Sequence, residues 1–426
     1  MEKTSEKNGN TSNNKLSFGS GEWMITQIAW RNIWRNKKRS LIIIAAVIIG
    51  LWSGIFLMAF YNGMIEQRIS SAISGELSHI QLHHPDFRKD YEPKFFLNNG
   101  NDILQQIQTN PNVKAAAGRI ILKGMIASAA GSSGISINAV MPTEEKQLTN
   151  LPGKIVEGNY FDAQKHNEII ISQKVAQKLK IKLRNKVVLT FQDIEGNIAS
   201  GAYKITAIYK TVNSPYDESN VFVNINDVAL LAGLNGQLNE IAVLLTDNTL
   251  LNSTQTAFKQ NFAGTDVQNW TELSPELGLT VSVSDQMVFI FMGIILLALS
   301  FGIINTMLMA VLERTREIGM LLALGMNRLK VFAMIVLETF FLVLAGCPVG
   351  MLLGLVSILI TQKQGIEFKT WGDAASSFGY SSLVFPKLNL YQFGTIFALV
   401  VLTAIISSLF PAWGALRLKP AEAIRK

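Results

Sequence analysis

Residues 287–330 read MVFIFMGIILLALSFGIINTMLMAVL followed by ERTREIGMLLALGMNRLK, an apolar run that ends in a short charged segment. No Asp, Glu, Lys or Arg interrupts the run from Met287 to Leu312. Because an α-helix rises ~1.5 Å per residue, such a run is long enough to cross the ~30 Å hydrocarbon core of a bilayer. The segment from Glu313 to Lys330 is charged at both ends but apolar in its centre, which a simple connecting loop does not require. The stretch therefore predicts a membrane span followed by a short docking segment.

Three further apolar runs make this a membrane protein with four predicted spans, at residues 41–64, 287–312, 331–361 and 392–411. Hydrophobic residues make up 49% of the chain and charged residues only 16%, against about 25% charged residues in a typical soluble domain. The first run is too long for the apolar part of a signal peptide and is not followed by a small-x-small cleavage site. We therefore predict that it is an uncleaved signal anchor.

The distribution of charge predicts the orientation of the spans. Residues 1–40, the 313–330 segment and the tail 412–426 together contain sixteen basic and six acidic residues. The segments 65–286 and 362–391 contain twenty-two basic and twenty-four acidic residues. Lys and Arg are enriched on the cytoplasmic side of membrane proteins, so we predict cytoplasmic termini and periplasmic segments at 65–286 and 362–391 in a bacterial inner membrane. The basic residues flank spans, which argues against nucleic-acid binding.

The segment before the first span has two parts. Residues 1–22 are mostly polar and are predicted to be a disordered tail. Residues 23–40 combine helically spaced apolar residues with Arg and Lys, and Trp23, Trp30 and Trp34 suit the lipid headgroup level. This pattern predicts an amphipathic interfacial helix that leads into the first span.

The large segment 65–286 has a mixed α and β pattern. The predicted strands are 78–83, 168–171, 187–191, 202–209, 221–223 and 241–245, and the predicted helices are 102–109, 173–179, 228–234 and 252–261. We therefore predict four transmembrane helices plus a large α+β periplasmic domain, in which a mainly β subdomain is inserted into an α/β subdomain. The pattern gives no account of the 362–391 loop.

Nothing in the sequence predicts an enzyme or a cofactor bound by this chain. The single cysteine, Cys347, lies in a predicted span and cannot form an intrachain disulfide. His79, His83 and His84 lie on a predicted strand without other ligands nearby, so a solvated strand face is favoured over a metal site. Glu338 lies in the third predicted span, and we favour a structural pair with a neighbouring helix or a basic residue over a proton relay.

Several motifs resemble the MacB/FtsX-like family of ABC transporter permeases. The segment Glu313–Arg328 resembles the family's loop after the second span, and residues 411–425 resemble its closing motif. Residues 30–36 (WRNIWRN) resemble its N-terminal helix, and residues 156–161 with 167–176 resemble its periplasmic domain. The resemblance covers most of the chain after residue 20.

The resemblance implies a mechanism called mechanotransmission. The permeases of this family dimerise on two cytoplasmic ATPase subunits, and the loop after the second span forms a coupling helix that docks on the ATPase. ATP and Mg²⁺ are thus expected in a separate partner, and a second permease copy or a paralogue is expected beside this chain. The predicted docking residues are apolar groups for a groove (Leu321, Leu322, Leu324), charged groups for the rim (Glu313, Arg314, Arg316, Glu317, Arg328) and glycines for turns or close approach (Gly319, Gly325).

The layout is similar to that of the LolC/LolE branch, whose members extract lipoproteins from the inner membrane toward a periplasmic carrier. The expected substrate is then a lipid or lipoprotein, and large flexible apolar side chains are candidates for its cavity, as opposed to ordinary lipid-facing packing: Phe56, Met58, Phe60, Met64, Phe289 and Met292. The alternatives are MacB-like export of peptides or small molecules and FtsX-like regulation of a periplasmic enzyme. Gly50 and Gly54 have a spacing that is compatible with a dimer seam.

Overall fold

The computed structural model describes residues 18–35, 37–162, 164–368, 370 and 372–417. The chain divides into two compact units. The membrane unit comprises Met1–Ala59, Met287–Lys363 and Lys387–Lys426, and the α+β unit comprises Phe60–Gln286 and Gln364–Pro386. Most of the predicted disordered tail, residues 1–17, and the end of the closing motif, residues 418–426, lie outside the described residues.

Long helices form the membrane unit, whereas the described strands belong to the α+β unit together with shorter helices. The α-helices are α1 (Phe18–Arg35), α2 (Lys37–Ala72), α3 (Phe87–Asp90), α4 (Gly100–Gln108), α5 (Pro142–Thr149), α6 (Gln173–Lys178), α7 (Ser214–Ser219), α8 (Ile225–Ala229), α9 (Leu251–Asn261), α10 (Trp270–Leu273), α11 (Pro275–Glu313), α12 (Thr315–Ala323), α13 (Arg328–Gln364), α14 (Gly372–Ser377) and α15 (Leu390–Leu416). The strands are β1 (Ile80–His83), β2 (Val113–Ser128), β3 (Gly131–Val140), β4 (Ile155–Gly158), β5 (Glu168–Ser172), β6 (Lys186–Gln192), β7 (Ile198–Tyr209), β8 (Asn220–Asn224), β9 (Glu240–Leu245), β10 (Asp266–Asn269), β11 (Ile366–Glu367) and β12 (Leu383–Val384).

Among the described residues, four helices are long and apolar enough to cross a membrane: α2, α11, α13 and α15. Each predicted apolar run lies inside one of them, and each helix extends beyond its run. At ~1.5 Å per residue, the 39 residues of α11 span about 58 Å, roughly twice the bilayer core. The four predicted transmembrane helices are thus confirmed, whereas the apolar runs mark only the central parts of the helices.

The described residues of the predicted amphipathic helix at 23–40 belong to two helices, α1 and the start of α2. Helix α1 begins at Phe18, inside the predicted disordered tail, and ends at Arg35, before α2 starts at Lys37. The buried Ser40 hydroxyl donates a hydrogen bond of 2.6 Å to the Ile33 carbonyl oxygen. This side-chain hydrogen bond connects α1 to the first turn of α2.

Glycines make a close seam between α13 and α2 in the membrane unit. A Cβ added at Gly350 would lie 3.1 Å from the Ile48 carbonyl oxygen, and one at Gly346 would lie 3.2 Å from that of Ile44. Small residues four apart allow such close backbone approach between membrane helices. Gly50 and Gly54, which we considered for a dimer seam, lie against Leu299 and Met292 of the same chain.

The described strands of the α+β unit, apart from β11 and β12, form one sheet in the order β10-β1-β9-β2-β3-β8-β5-β7-β4, with β6 paired to β2 and β7. The predicted hairpin around Glu195–Asn197 is present as β6 and β7, and these strands belong to the same sheet as the others. The α+β class is therefore confirmed. The long β2–β3 hairpin, paired from Arg119–Val140 to Ser128–Gly131, was not predicted.

We predicted that the histidines near β1 lie on a solvated strand face, and this prediction is wrong. His79 and His83 are buried, with exposed fractions of 8% and 1%, because β1 lies between β9 and β10. The Leu245 N–H donates to His79 Nδ1 at 3.1 Å, while His84 is half-buried and stacks on Phe95. Alternation of polar and apolar residues predicts a half-solvated strand, but here both faces are covered.

A buried charge network joins four elements of the α+β unit. Arg119 on β2 donates two hydrogen bonds to Glu145 on α5, at 2.9 and 2.7 Å, and one to Glu240 on β9 at 2.9 Å. The second carboxylate oxygen of Glu240 lies 3.2 Å from His83 Nε2. Burial lowers the pKa of the Arg119 guanidinium, but the two carboxylates outweigh it and hold that pKa above its usual value. The network therefore contains paired charges rather than neutral groups.

The segment between the third and fourth spans, predicted as a loop at 362–391, is partly ordered in the α+β unit. Strands β11 and β12 pair, and the Phe385 N–H donates to Gln67 Oε1 at 3.2 Å. A Cβ at Gly63 would overlap the Phe385 carbonyl oxygen, so glycine is required for this approach of the two backbones. Ser376 Oγ also lies 3.1 Å from Ser214 Oγ. These contacts give the segment a defined position within the α+β unit.

Candidate functional site

The charged segment that follows the second span folds as the short helix α12. Its end is a Schellman motif, because Met326 N–H donates to Leu321 O at 3.0 Å and Gly325 N–H donates to Leu322 O at 3.1 Å. Gly325 has φ of +88°, a conformation that favours glycine. The Asn327 side chain then accepts a hydrogen bond from Leu329 N–H at 3.1 Å at the start of α13. The sequence thus specifies a sharp turn between α12 and α13.

The two predicted glycines differ in their surroundings. Gly325 is exposed and lies at the turn, as its predicted role requires, and no atom of the described residues lies within 4 Å of an added Cβ apart from its own surroundings in the chain. Gly319 is buried inside α12 and is not part of a turn. The open surroundings of Gly325 mean that its backbone conformation, and not a close contact, requires glycine there.

Most charged groups that we predicted at the rim of a partner interface have partners within this chain. Glu317 on α12 accepts hydrogen bonds from Arg35 on α1, and Glu313 at the end of α11 forms an ion pair with Arg39 on α2. Arg314, which precedes α12, has only 12% of its side chain exposed and lies 3.1 Å from Glu338 Oε1. These pairs connect α12 and its preceding residues to α1, α2 and α13, so they orient the helix.

Two of the predicted rim residues remain on the surface. Arg316 on α12 is exposed, and Arg328 at the start of α13 is exposed while donating a hydrogen bond of 3.3 Å to the Leu416 carbonyl oxygen. They are therefore the cations of the predicted set that remain accessible.

The three predicted docking leucines do not share one environment. Leu321 packs beside Ala29 and Met334, and Leu322 packs on the apolar core of the membrane unit. Leu324, by contrast, has 86% of its surface exposed. Met320 and Leu329 are also largely exposed, although the sequence pattern did not single them out. The exposed apolar surface at this end is therefore formed by Met320, Leu324 and Leu329.

The Glu338 carboxylate lies beside a cavity of about 430 Å³ in the membrane unit, whose lining includes Asn32, Arg314 and Met320. Arg314 Nη1 is 3.1 and 3.2 Å from the two Glu338 oxygens, and its Nη2 donates to the Asn32 carbonyl oxygen at 3.3 Å. The structural role that we favoured for Glu338 fits this pairing with a basic residue. The pair connects α1, α13 and the start of α12 through one guanidinium group.

The six residues proposed for a substrate cavity differ in their immediate surroundings. Met292 is 5% exposed and packs at Gly54, whereas Phe289 on the same helix is 68% exposed. Phe56 and Met58 pack on the apolar core of the membrane unit. Phe60 makes an edge-to-face contact with Phe368 in the α+β unit, and Met64 is half-buried there. We predicted a cavity from the length and flexibility of these side chains. Which of them face the same way depends on how each helix is rotated about its axis, and the side-chain types do not show this.

Comparison with known families identifies two matching domains. The MacB-like periplasmic core domain matches residues 40–261, and the FtsX-like permease C-terminal domain matches residues 289–420. The second match contains α12, the Arg314–Glu338 pair and the exposed Leu324.

Individual relatives are similar over nearly the whole chain. The lipoprotein-releasing system transmembrane protein LolC of Neisseria meningitidis serogroup B is 22% identical over 92% of this chain and 96% of the relative. The uncharacterized ABC transporter permease YknZ of Bacillus subtilis is 26% identical over 94% of this chain and 98% of the relative. The macrolide export ATP-binding/permease protein MacB of Chlorobium luteolum is 24% identical over 94% of this chain, but over only 59% of the relative.

Proposed function

Since this chain belongs to the MacB/FtsX-like ABC transporter permeases, we propose that α12 is its coupling helix and docks on an ATPase that is a separate subunit. The observation that carries this proposal is the arrangement of α12. Ion pairs fix its orientation at Arg35 and Glu338, while Leu324 is 86% exposed beside the turn at Gly325. A fixed helix with an exposed leucine at its end is suited to insertion into an apolar groove of a partner.

Transmission of force follows from the same contacts. Motion of the ATPase would move α12, and the pairs of Arg314 and Glu317 would carry that motion to α13 and α1 without requiring α12 to unfold. This arrangement supports mechanotransmission, with the termini and α12 on the cytoplasmic side as the charge distribution predicts. A second permease subunit, either a copy or a paralogue, completes the proposed transporter.

Leu324→Asp is expected to weaken binding of the ATPase subunit roughly tenfold to a hundredfold. Burying a leucine contributes about 1.5–3 kcal/mol, and 1.4 kcal/mol is a factor of ten in affinity. The measurement is recovery of the ATPase subunit that co-purifies with the wild-type chain. Leu321 is a poor choice for this test, because it packs on other helices and its replacement would disturb the membrane unit.

The matched control is Leu230→Asp, which introduces the same charge at a leucine that is 72% exposed in the α+β unit. It should leave recovery of the ATPase unchanged. Recovery of the ATPase by Leu324→Asp at the wild-type level would contradict the docking role.

We propose a lipid-modified protein as the substrate, taken from the membrane toward a periplasmic carrier. The support is the similarity to LolC over nearly the full length of both chains, together with the presence of four spans and one large α+β domain. Burying acyl chains is worth ~0.8 kcal/mol per CH₂, so release of such a substrate into water requires the work of an ATPase. MacB-like export is the second candidate, because the MacB relative also aligns with 94% of this chain.

Purification of the transporter from native membranes tests this substrate class. We expect acylated proteins in mass spectra of the co-purifying material, and their loss when ATP is added together with the carrier protein. Peptides or small molecules without acyl groups in the same preparations would favour the export function instead.

A further inference from the structure

A basic groove lies at the polar end of the membrane unit, away from the exposed leucine of α12. Its volume is about 850 Å³, and its lining includes Arg35, Lys37, Lys38 and Arg39. Glu313 is the acidic residue in this lining, so cations exceed anions. Since Arg35 pairs with Glu317 and Arg39 pairs with Glu313, Lys37 and Lys38 leave the groove with an excess of positive charge.

One guanidinium nitrogen in the groove lacks a partner. Arg39 Nη2 forms an ion pair with Glu313, whereas its Nη1 is buried and has no hydrogen-bond partner among the residues that the structure describes. A buried donor without an acceptor is unfavourable and uncommon in folded proteins. The unpaired donor of Arg39 and the charges of Lys37 and Lys38 together favour an anionic oxygen at this end of the groove.

The groove changes from basic to apolar along its length. Ile42 follows Arg39 by one turn on α2, and Met309 precedes Glu313 by one turn on α11; each is 60% exposed. Asn305, one further turn along α11, is also exposed. A soluble anion would contact only the basic end, whereas an amphiphile would contact both the cations and the exposed apolar side chains.

We propose that this groove binds an anionic phospholipid, with the phosphate of its headgroup at Arg39, Lys37 and Lys38 and an acyl chain along Ile42 and Met309. Basic clusters at the ends of membrane helices bind anionic headgroups, with a contribution from each Lys or Arg near the membrane surface. Because the site lies beside Arg35 and Glu313, the bound headgroup would hold α2 and α11 together next to the coupling helix. The lipid is thus a structural ligand and not the transported substrate.

The test compares two double variants of the full chain that remove equal charge. Lys37→Gln/Lys38→Gln removes two exposed cations of the groove, and Arg31→Gln/Lys330→Gln removes two exposed cations that do not line it. Each protein is reconstituted in nanodiscs of phosphatidylcholine with and without phosphatidylglycerol, and retained lipid is counted by native mass spectrometry. We expect the groove variant to bind phosphatidylglycerol on the order of tenfold more weakly and the control to bind it like the wild type.

A competition with inorganic phosphate separates a lipid site from a site for free anions. We expect phosphate alone to displace little phosphatidylglycerol, because it cannot occupy the apolar part of the groove. Equal loss of lipid in both double variants would show only general attraction to the membrane surface and would overturn the proposal. Full displacement by inorganic phosphate would overturn it in favour of a soluble anion. A transporter that binds its ATPase normally but retains no phosphatidylglycerol would refute this inference alone.

Discussion

Arg119→Met is expected to destabilise the α+β unit by about 3–5 kcal/mol, because it leaves the carboxylates of Glu145 and Glu240 buried without their cation. The two acids are 0% and 7% exposed, so water cannot replace the guanidinium. For a unit of this size the loss corresponds to a fall of roughly 6–20 °C in the melting temperature. The measurement is thermal loss of protease resistance of residues 60–286 in the detergent-solubilised chain.

Two further variants identify the cause. Lys114→Met removes a positive charge from an exposed position on the same strand and should shift the melting temperature by only a small fraction of this amount. Adding Glu145→Gln and Glu240→Gln to Arg119→Met removes the unpaired charges and should recover much of the loss. If the triple variant is no more stable than Arg119→Met, lost packing rather than unpaired charge explains the effect.

The network also predicts how the stability of the wild type depends on pH. Burial alone would raise the pKa of Glu240, but the hydrogen bond from His83 and the charge of Arg119 lower it from 4.5 to about 2. A carboxyl group whose pKa is lower in the folded state stabilises the fold above its unfolded pKa. This contribution is therefore complete above pH 4.5 and decreases as the pH falls toward 2, and Arg119→Met should reduce that dependence.

The extent to which the sequence predicted the fold differed between the two units. A membrane span needs only length and hydrophobicity, and these are visible in one sequence, so all four spans were predicted. A strand is stabilised by neighbouring strands that are often distant in the sequence, so strands are harder to predict from a local pattern, as β2 shows. Its segment Val113–Ser128 is rich in Ala and Gly, so it does not show the alternation of branched and polar residues that predicts a strand. Arg119 is a basic residue within the apolar stretch of β2, and such a residue indicates a buried ion pair. The sequence pattern does not show which acidic residues pair with it.

The predicted site was less complete for a similar reason. The sequence predicted one docking segment, but five of its ten predicted residues lie outside α12, and the pattern did not show the direction in which each side chain points. Leu321 and Leu324 differ by three positions, yet one packs inward and the other lies at the end of the helix, where the chain turns. The partners Arg35 and Arg39 are more than 270 residues away from Glu317 and Glu313 in the sequence. Contacts of this kind depend on how the helices pack, which no local pattern contains.

Glu338→Leu is expected to destabilise the membrane unit by about 3 kcal/mol and to uncouple ATP hydrolysis from transport. The variant leaves the Arg314 cation, 12% exposed, without its carboxylate beside the cavity. Arg314 would then turn toward water, and the start of α12 would lose its connection to α13. The measurements are thermal stability in detergent and the ATPase activity of the complex with and without substrate.

A double-mutant cycle with Arg314→Met separates the ion pair from the individual side chains, since neither charge remains in the double variant. The double variant should be more stable than Glu338→Leu alone, because a buried pair replaced by apolar groups leaves no unpaired charge. Its coupling should nevertheless stay impaired, because the hydrogen bonds from Arg314 to Glu338 and Asn32 are absent. Arg316→Gln, which changes an exposed charge on α12, should cost less than about 0.5 kcal/mol in stability. Additive losses in stability would show that Arg314 and Glu338 act independently, and would contradict the predicted link between α12 and the third span through this pair.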